Sequence, residues 1–267
     1  MSQVTILQQI ARERQADVDA ARASRSLDTV RAEALRTPAP GGRFAAALRT
    51  TSLEVIAEVK RASPSRGRIA GIPDPVALAS AYAAGGAAAI SVLTEPRHFL
   101  GSDEDLRQVA AATGLPCLRK DFIVDPYQVW EARLLGASAC LLIVALLPTV
   151  DQLRPLLDVA GEAGLDVLVE THDEQELRTA IDAGATIIGV NHRNLHTFEM
   201  DMTLFERLRP QLPAGAIAVA ESGVHEPATA ARLRRAGADA ILVGEHLARA
   251  ADPAAALRQL REAASCS

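Results

Sequence analysis

Short apolar runs recur along the chain, each introduced by a glycine. One series reads Gly86-Ala-Ala-Ala-Ile-Ser-Val-Leu, Gly136-Ala-Ser-Ala-Cys-Leu-Leu-Ile, Gly184-Ala-Thr-Ile-Ile-Gly-Val and Gly237-Ala-Asp-Ala-Ile-Leu-Val, at spacings of 50, 48 and 53 residues. A second series falls between them: Gly114-Leu-Pro-Cys-Leu, Gly164-Leu-Asp-Val-Leu-Val and Gly215-Ala-Ile-Ala-Val-Ala, spaced 50 and 51. With Leu53-Glu-Val-Ile-Ala-Glu-Val, that makes eight segments of four to seven residues. They are built of Val, Ile, Leu and Ala without polar alternation, the pattern of parallel strands buried on both faces. A repeat of this kind defines the architecture before any single motif does.

Helical periodicity fills the gaps, as in Pro75-Val-Ala-Leu-Ala-Ser-Ala-Tyr-Ala-Ala, Gln152-Leu-Arg-Pro-Leu-Leu-Asp-Val-Ala, Asp173-Glu-Gln-Glu-Leu-Arg-Thr-Ala-Ile and Pro227-Ala-Thr-Ala-Ala-Arg-Leu-Arg-Arg. Several of these stretches end in Ala-Gly or Leu-Gly, where glycine supplies the left-handed cap before the next strand. Eight strand-then-helix units in about 215 residues match a (β/α)8 TIM barrel of the α/β class. An open doubly wound sheet fits less well, because no GxGxxG follows the first strand and the period is regular. Residues 1–50 fall outside the repeat. Ile6, Leu7 and Ile10 beside Arg12-Glu13-Arg14 predict an amphipathic helix, and Thr37-Pro-Ala-Pro-Gly-Gly breaks the chain before the first strand. The expected organisation is an N-terminal helical extension (1–50) on a single catalytic barrel domain (51–267), since fifty residues rarely hold a core alone.

Composition narrows the function classes. Hydrophobic residues are 49% of the 267 and charged residues 23%, a globular balance. The net charge is −5 and aromatics are 3%, which argues against a nucleic-acid partner wanting a basic face and stacking rings. The first 25 residues carry Arg12, Glu13, Arg14, Asp17 and Asp19 where a signal peptide has an apolar core. The longest apolar run, Ala139 to Leu147, has nine residues, short of the roughly 20 a membrane span requires. Cys117, Cys140 and Cys266 show no metal-ligand spacing and are odd in number. A cytoplasmic protein with no membrane partner is the expectation.

Chemistry in such barrels sits at the C-terminal ends of the strands. Strand one ends Glu58-Val-Lys60, with both charges on one face, because side chains two apart share a face. Strand three ends Arg119-Lys120-Asp121, strand five Val169-Glu170, strand six Asn191-His192-Arg193 and strand seven Glu221-Ser222-Gly223. Charges at five strand ends on one rim predict a polar pocket, the alternative being a structural ring of ion pairs. Glu221-Ser-Gly-Val after strand seven and Val243-Gly-Glu-His-Leu after strand eight stand where barrels commonly bind phosphate. The basic, hydroxyl-rich Lys60-Arg-Ala-Ser-Pro-Ser-Arg-Gly-Arg suits a loop folding over an anion, although Arg66 and Arg68 could equally be solvated. His192 and His196, four apart with no third ligand evident, do not predict a metal site. His98, His172, His225 and His246 are expected at the surface or behind the site. Cys117 and Cys140, inside strands, read as small core residues.

Together Ile56-Ala-Glu-Val-Lys-Arg-Ala-Ser-Pro-Ser-Arg-Gly, Leu118-Arg-Lys-Asp-Phe-Ile-Val-Asp-Pro-Tyr-Gln-Val, Leu168-Val-Glu, Ile188-Gly-Val-Asn-His-Arg-Asn-Leu, Ala220-Glu-Ser-Gly-Val and Leu242-Val-Gly-Glu closely resemble the indole-3-glycerol-phosphate synthase family. The resemblance runs from the N-terminal helix to the last barrel helix. His192 stands where that family often has a small polar residue and His246 where it often has Ser or Ala. Both are expected to point away from the catalytic face or to sit behind a backbone contact.

The resemblance implies a carboxy-lyase of tryptophan biosynthesis without metal or organic cofactor. Its phosphorylated small-molecule substrate, 1-(2-carboxyphenylamino)-1-deoxyribulose 5-phosphate, closes to indole-3-glycerol phosphate with loss of CO2 and water. By the same resemblance Lys120 is the general acid at the ketone oxygen, Lys60 pairs with the substrate's anionic groups and Glu170 moves protons in the dehydration. Glu58 and Asn191 hold the reacting ring and hydroxyls, and Arg193 and Glu221 order the network. Ser63, Ser222, Gly223, Gly244 and the amide of Glu245 take the phosphate, and Phe122 and Leu195 flank the aromatic ring. An acid lysine at neutral pH calls for a lowered pKa, which a facing Lys60 would supply to Lys120. Phosphoribosylanthranilate isomerase or another phosphate-binding barrel enzyme is the rival, as are a Schiff-base aldolase using Lys120 and a non-catalytic barrel. The chain is expected to be a monomer or weak homodimer.

Overall fold

The computed structural model describes residues 5–64, 67–69, 71–72, 74–195 and 197–265; Arg66, His196 and Cys266 lie outside them. Among the described residues, eight parallel strands close into a barrel: β1 (Glu54–Val59), β2 (Ala89–Leu93), β3 (Cys117–Lys120), β4 (Ala139–Ile143), β5 (Asp166–Thr171), β6 (Ile187–Asn191), β7 (Ile217–Glu221) and β8 (Ala240–Val243). Each pairs with its neighbour in sequence, and β1 pairs with β8 through Glu54↔Ala240 to Ala57↔Val243 to seal the cylinder. The glycine punctuation does what the sequence required of it. Gly86, Gly136, Gly164, Gly184 and Gly237 all have φ between 69° and 91°, where a side chain is strained, and each turns a helix into the next strand.

Period-two alternation sorts the strand residues into two cores. Outward-facing Ala57, Val169, Ile188 and Ala220 pack under the helices, in a cluster that also takes in the strand thiols Cys117 and Cys140. Inward-facing Ile56, Leu118, Leu141, Leu168, Ile187, Val219 and Leu242 fill the barrel. Both cysteines are buried, and burial pushes each thiol up to about 12, as small core residues require.

The N-terminal helices close both ends. Helix α1 (Ile6–Ser24) starts with a capping box, Thr5 accepting from the Gln8 N–H while the Gln8 side chain accepts from the Thr5 N–H. Its Leu7 and Ile10 join the interior cluster from the C-terminal side of the strands, beside Ile143 and Phe122. Helix α2 (Leu27–Arg36) lies along α4 (Pro126–Leu134), with the Arg31 guanidinium 5.5 Å above the Trp130 ring. Helix α3 (Arg43–Leu48) plugs the opposite end with Phe44 and Leu48, its Ala45 N–H donating to Asp166 at the start of β5. No described helix is long and apolar enough to cross a membrane.

Candidate active site

Directly above the apolar filling, the strands β1, β3, β5 and β7 project Glu58, Lys120, Glu170 and Glu221 inward. Alternate strands contribute a layer in a barrel of this kind, so four charges meet on one level. All three carboxylates are 1–2% exposed. Two of the intervening strands make room with glycine. A Cβ on Gly189 of β6 would lie 2.0 Å from Glu221 Oε1, and one on Gly244, just past β8, 2.5 Å from Glu58 Oε1. These glycines serve the carboxylates next to them.

The Lys120 ammonium sits 3.0 Å from Glu170 Oε2 and 3.2 Å from Glu221 Oε2. Burial opposes its charge, but Glu170, Glu221 and Glu58 outweigh burial and hold the ammonium well above the usual lysine range. This overturns the expectation of a lysine lowered by Lys60. The Lys60 Nζ is instead ion-paired with Glu58. Strand alternation aims both lysines at the mouth but does not say which carboxylates their long side chains will reach. Two buried carboxyls around one ammonium split: burial raises both, Lys120 draws Glu170 below its ordinary value, and Glu221 is driven above it.

Around this floor the pocket is two-sided. Ile6, Leu7 and Ile10 of α1, with Phe99, Phe122 and Leu195, form an apolar wall; the Phe99 and Phe122 rings lie 5.6 Å apart. Ser63, Ser222, Gly223, Gly244 and Glu245 line the pocket as well, and Ser222 and Gly223 turn consecutively through φ of 66° and 81°. Ser222 bears the strain of a side-chain-bearing residue in that region, a cost accepted at binding loops. Asn191 and Arg193 complete the lining, the Arg193 N–H donating to Asn191 Oδ1 at 3.0 Å. The fourteen residues singled out from sequence therefore meet in one cavity. Ser63 enters it from a short ribbon, Ala62–Ser63 against Gly67–Arg68, while Arg68 is exposed and does not line the pocket.

Some expectations change. His192 turns away from the pocket as anticipated, its buried Nδ1 lying 2.9 Å from the Glu221 carbonyl and 3.0 Å from that of Ser222. His246 and His225, by contrast, line the pocket, because the helix start after β8 and the loop after β7 present them to the rim. Arg119 and Asp121 do not join the charged layer. Their outward register buries Arg119 beneath the helices against Asp121, Asp103 and Glu131, at 3.2, 3.0 and 2.8 Å.

Two contacts had no sequence signal. Arg14 of α1 grips Asp121 with both arms, Nε to Oδ1 at 3.0 Å and Nη2 to Oδ2 at 2.7 Å, tying the helix over the mouth to the residue next to Lys120. His172, just past β5, touches Glu170 from behind at 3.2 Å. Elsewhere Glu13, Glu95 and His98 bring possible metal-ligand atoms together, but the Glu95 oxygens already accept the N–H groups of Arg97, His98 and Phe99. That carboxylate orders its own loop.

A family model described as "Indole-3-glycerol phosphate synthase" matches residues 7–260. Proteins named indole-3-glycerol phosphate synthase are similar to the chain throughout. That of Mycolicibacterium gilvum is 52% identical, over 97% of this chain and 95% of its own length; that of Streptomyces griseus is 50% identical, over 96% and 95%. Among solved structures, 3-hexulose-6-phosphate synthase from Salmonella typhimurium superimposes with a TM-score of 0.63 at 16% identity, covering 80% of this chain and 99% of its own. The thiamine phosphate pyrophosphorylase of Pyrococcus furiosus gives 0.61 at 16%, covering 80% and 96%. At that identity these two structures speak for the barrel only.

Proposed function

The chain belongs to the indole-3-glycerol phosphate synthase family, and from that premise we propose which atoms of the pocket carry each step. The reaction is a carboxy-lyase step of tryptophan biosynthesis. The ketone carbon of 1-(2-carboxyphenylamino)-1-deoxyribulose 5-phosphate is attacked by the ring carbon bearing the carboxylate. CO2 then leaves, water follows, and the indole ring is complete. Since a carboxylate departs as neutral CO2, each turnover takes up one proton.

The observation that carries the assignment is the Lys120 ammonium held between Glu170 and Glu221 on the pocket floor. A buried cation beside the ketone oxygen stabilises the negative charge that develops there and supplies its proton. The upward shift of Lys120 means the lysine enters the cycle fully protonated, an acid rather than an imine-forming amine. Glu170, below its ordinary value, is the ionised partner suited to accept a proton during dehydration. Lys60, 21% exposed at the side chain, is the mobile cation available to the substrate's anionic groups. Glu58 and Asn191 position the reacting ring and hydroxyls, with Arg193 and Glu221 ordering them. The phosphate lies against Ser63, Ser222, Gly223, Gly244 and the amide of Glu245, where glycine lets the backbone approach closely. The anthranilate ring lies between Phe122 and Leu195 under α1.

We read residues 1–50 as an extension closing the barrel and 51–267 as one catalytic domain, in a monomer or weak homodimer of the cytoplasm. The test is continuous fluorescence with the carboxyphenylamino-deoxyribulose phosphate in the presence of EDTA. Indole product at an undiminished rate is expected from the parent and none from Lys120→Ala. Borohydride added with substrate should trap no adduct on Lys120. Near-parental turnover by Lys120→Ala, or a trapped imine, would refute the acid assignment.

A further inference from the structure

Glu170 and Glu221 are near-equivalent as Lys120 sees them, at 3.0 and 3.2 Å. One ammonium neutralises one buried carboxylate, and the other takes a proton. A difference of 0.2 Å does not choose between them. His172 does. Its Nε2 lies 3.2 Å from Glu170 Oε1, within ion-pair reach though off hydrogen-bond alignment, while its Nδ1 lies 2.9 Å from Glu176 Oε2 on α5 (Glu174–Asp182). The same Glu176 oxygen accepts the His172 backbone N–H at 2.8 Å, so ring and main chain are pinned together. Both ring nitrogens face carboxylates, and although burial opposes the charge, Glu170 and Glu176 push the imidazole up to about 10. Among the described residues Glu221 has no such neighbour. Its Oε1 has no hydrogen-bond partner among the described residues, over the space that Gly189 leaves.

We propose that His172, braced by Glu176, is the positioning residue that assigns the negative charge to Glu170 and the proton to Glu221, making one carboxyl the proton acceptor and the other a hydrogen-bond donor toward the substrate. This rests on the reading above in which Glu170 moves protons. The remaining charges around the pair are Lys120 from β3 and Glu58 from β1, with Asn191 from β6 as a hydrogen-bond partner of Glu170. On its outer side the His172 ring meets a polar cavity lined by Asp173, Glu174 and Arg178 of the α5 segment and by His192, Glu199, Asp201 and Arg207 beyond β6. Apart from the buried His192, whose Nδ1 faces the Glu221 and Ser222 carbonyls, those groups border solvent and leave the contact with Glu170 to His172.

The experiment is the pH profile of kcat and KM for His172→Gln, Glu176→Gln and Glu170→Gln, with infrared spectra of the resting enzymes. His172→Gln should lower kcat about 10–100-fold, less than the ~10²–10⁴ that a proton carrier itself contributes, with KM within twofold. Loss of the cation should also move the acid limb of kcat upward by about one pH unit. Glu176→Gln, part-buried in the first turn of a helix and able to keep an oxygen for the His172 N–H, should move the limb the same way by less. A protonated-carboxyl band should be present in the parent and absent from Glu221→Gln.

If kcat falls in His172→Gln while the acid limb stays in place, the ring only packs, and the proposal is overturned. A band that survives in Glu221→Gln overturns it too, since the proton is then elsewhere. Parental turnover by Glu170→Gln would instead remove Glu170 from the reaction, leaving the infrared band to report the charge assignment by itself.

Discussion

Replacing Arg14 by alanine tests how the helix over the mouth is held. Arg14 is 8% exposed and the Asp121 side chain not at all, and the two share a bidentate pair. Stripping one partner from a buried pair costs about 3–5 kcal/mol. Asp121 keeps Arg119 at 3.2 Å, the Thr94 hydroxyl at 2.8 Å and the Phe122 N–H at 2.8 Å, so the low end, about 3 kcal/mol, applies. For a domain of this size that is a fall in melting temperature of roughly 6–12 °C. Helix α1 retains its buried Leu7, Ile10 and Val18 and its outer pairs Arg22–Asp125, Asp17–Arg97 and Glu13–His98, and stays docked, but without its most buried polar tie. Because Ile6, Leu7 and Ile10 wall the pocket, KM should rise about tenfold, equivalent to ~1.4 kcal/mol, with a smaller change in kcat.

The pH dependence has a definite sign. Burial raises the Asp121 carboxyl, yet Arg119 and Arg14 outweigh it and hold it below the ordinary aspartate range. Its stabilisation is therefore complete above about pH 4, the unfolded value, and is lost as pH falls through the lower folded one. The stability gap between the parent and Arg14→Ala should therefore be full above about pH 4 and close as the pH falls below it. Thermal melts from pH 3 to 8 and Michaelis kinetics by indole fluorescence measure both effects. Arg14→Lys, which keeps the charge but not the fork, should fall between. A variant that melts within 2 °C of the parent with unchanged KM would refute the anchoring argument.

Other outcomes follow from the same geometry. Glu170→Gln should lower kcat about 10²-fold or more with little change in KM, since it removes a proton carrier and not a binding group; single-turnover traces should show accumulation before the last step. The ion pair of His172 stabilises the fold fully below about pH 6.5 and is lost as pH rises through about 10, so the stability gap between parent and His172→Gln, read by denaturant melts, should close on the alkaline side. Ser222→Gly should gain about 1 kcal/mol of stability by relieving a positive φ while raising KM. Cys117 and Cys140 should resist a thiol reagent at pH 8 until the protein unfolds.

The barrel was legible because glycine has to stand where a helix turns into a strand, and Gly86, Gly136, Gly184 and Gly237 mark that turn at a regular interval. The pocket was legible for a related reason. Alternation determines the face of a strand residue, and Glu58, Lys120, Glu170 and Glu221 all carry charge on the inward one. What stayed hidden depends on distance in sequence or on side-chain reach. Arg14 and Asp121 are 107 residues apart. Lys60 turns to Glu58, two residues back, while Lys120 reaches across the barrel to strands 50 and 101 residues away. His172 looks like an ordinary loop histidine until β5 and α5 bring Glu170 and Glu176 to its two nitrogens.

Gly189 offers no functional group, yet the space it leaves is the seat of the Glu221 carboxyl. Positions 189 and 221 on neighbouring strands are thus a single unit of variation. A methyl added at 189 would displace that carboxyl and with it the contact to Lys120, so a substitution at either position is felt at the other and through it at the acid on the pocket floor.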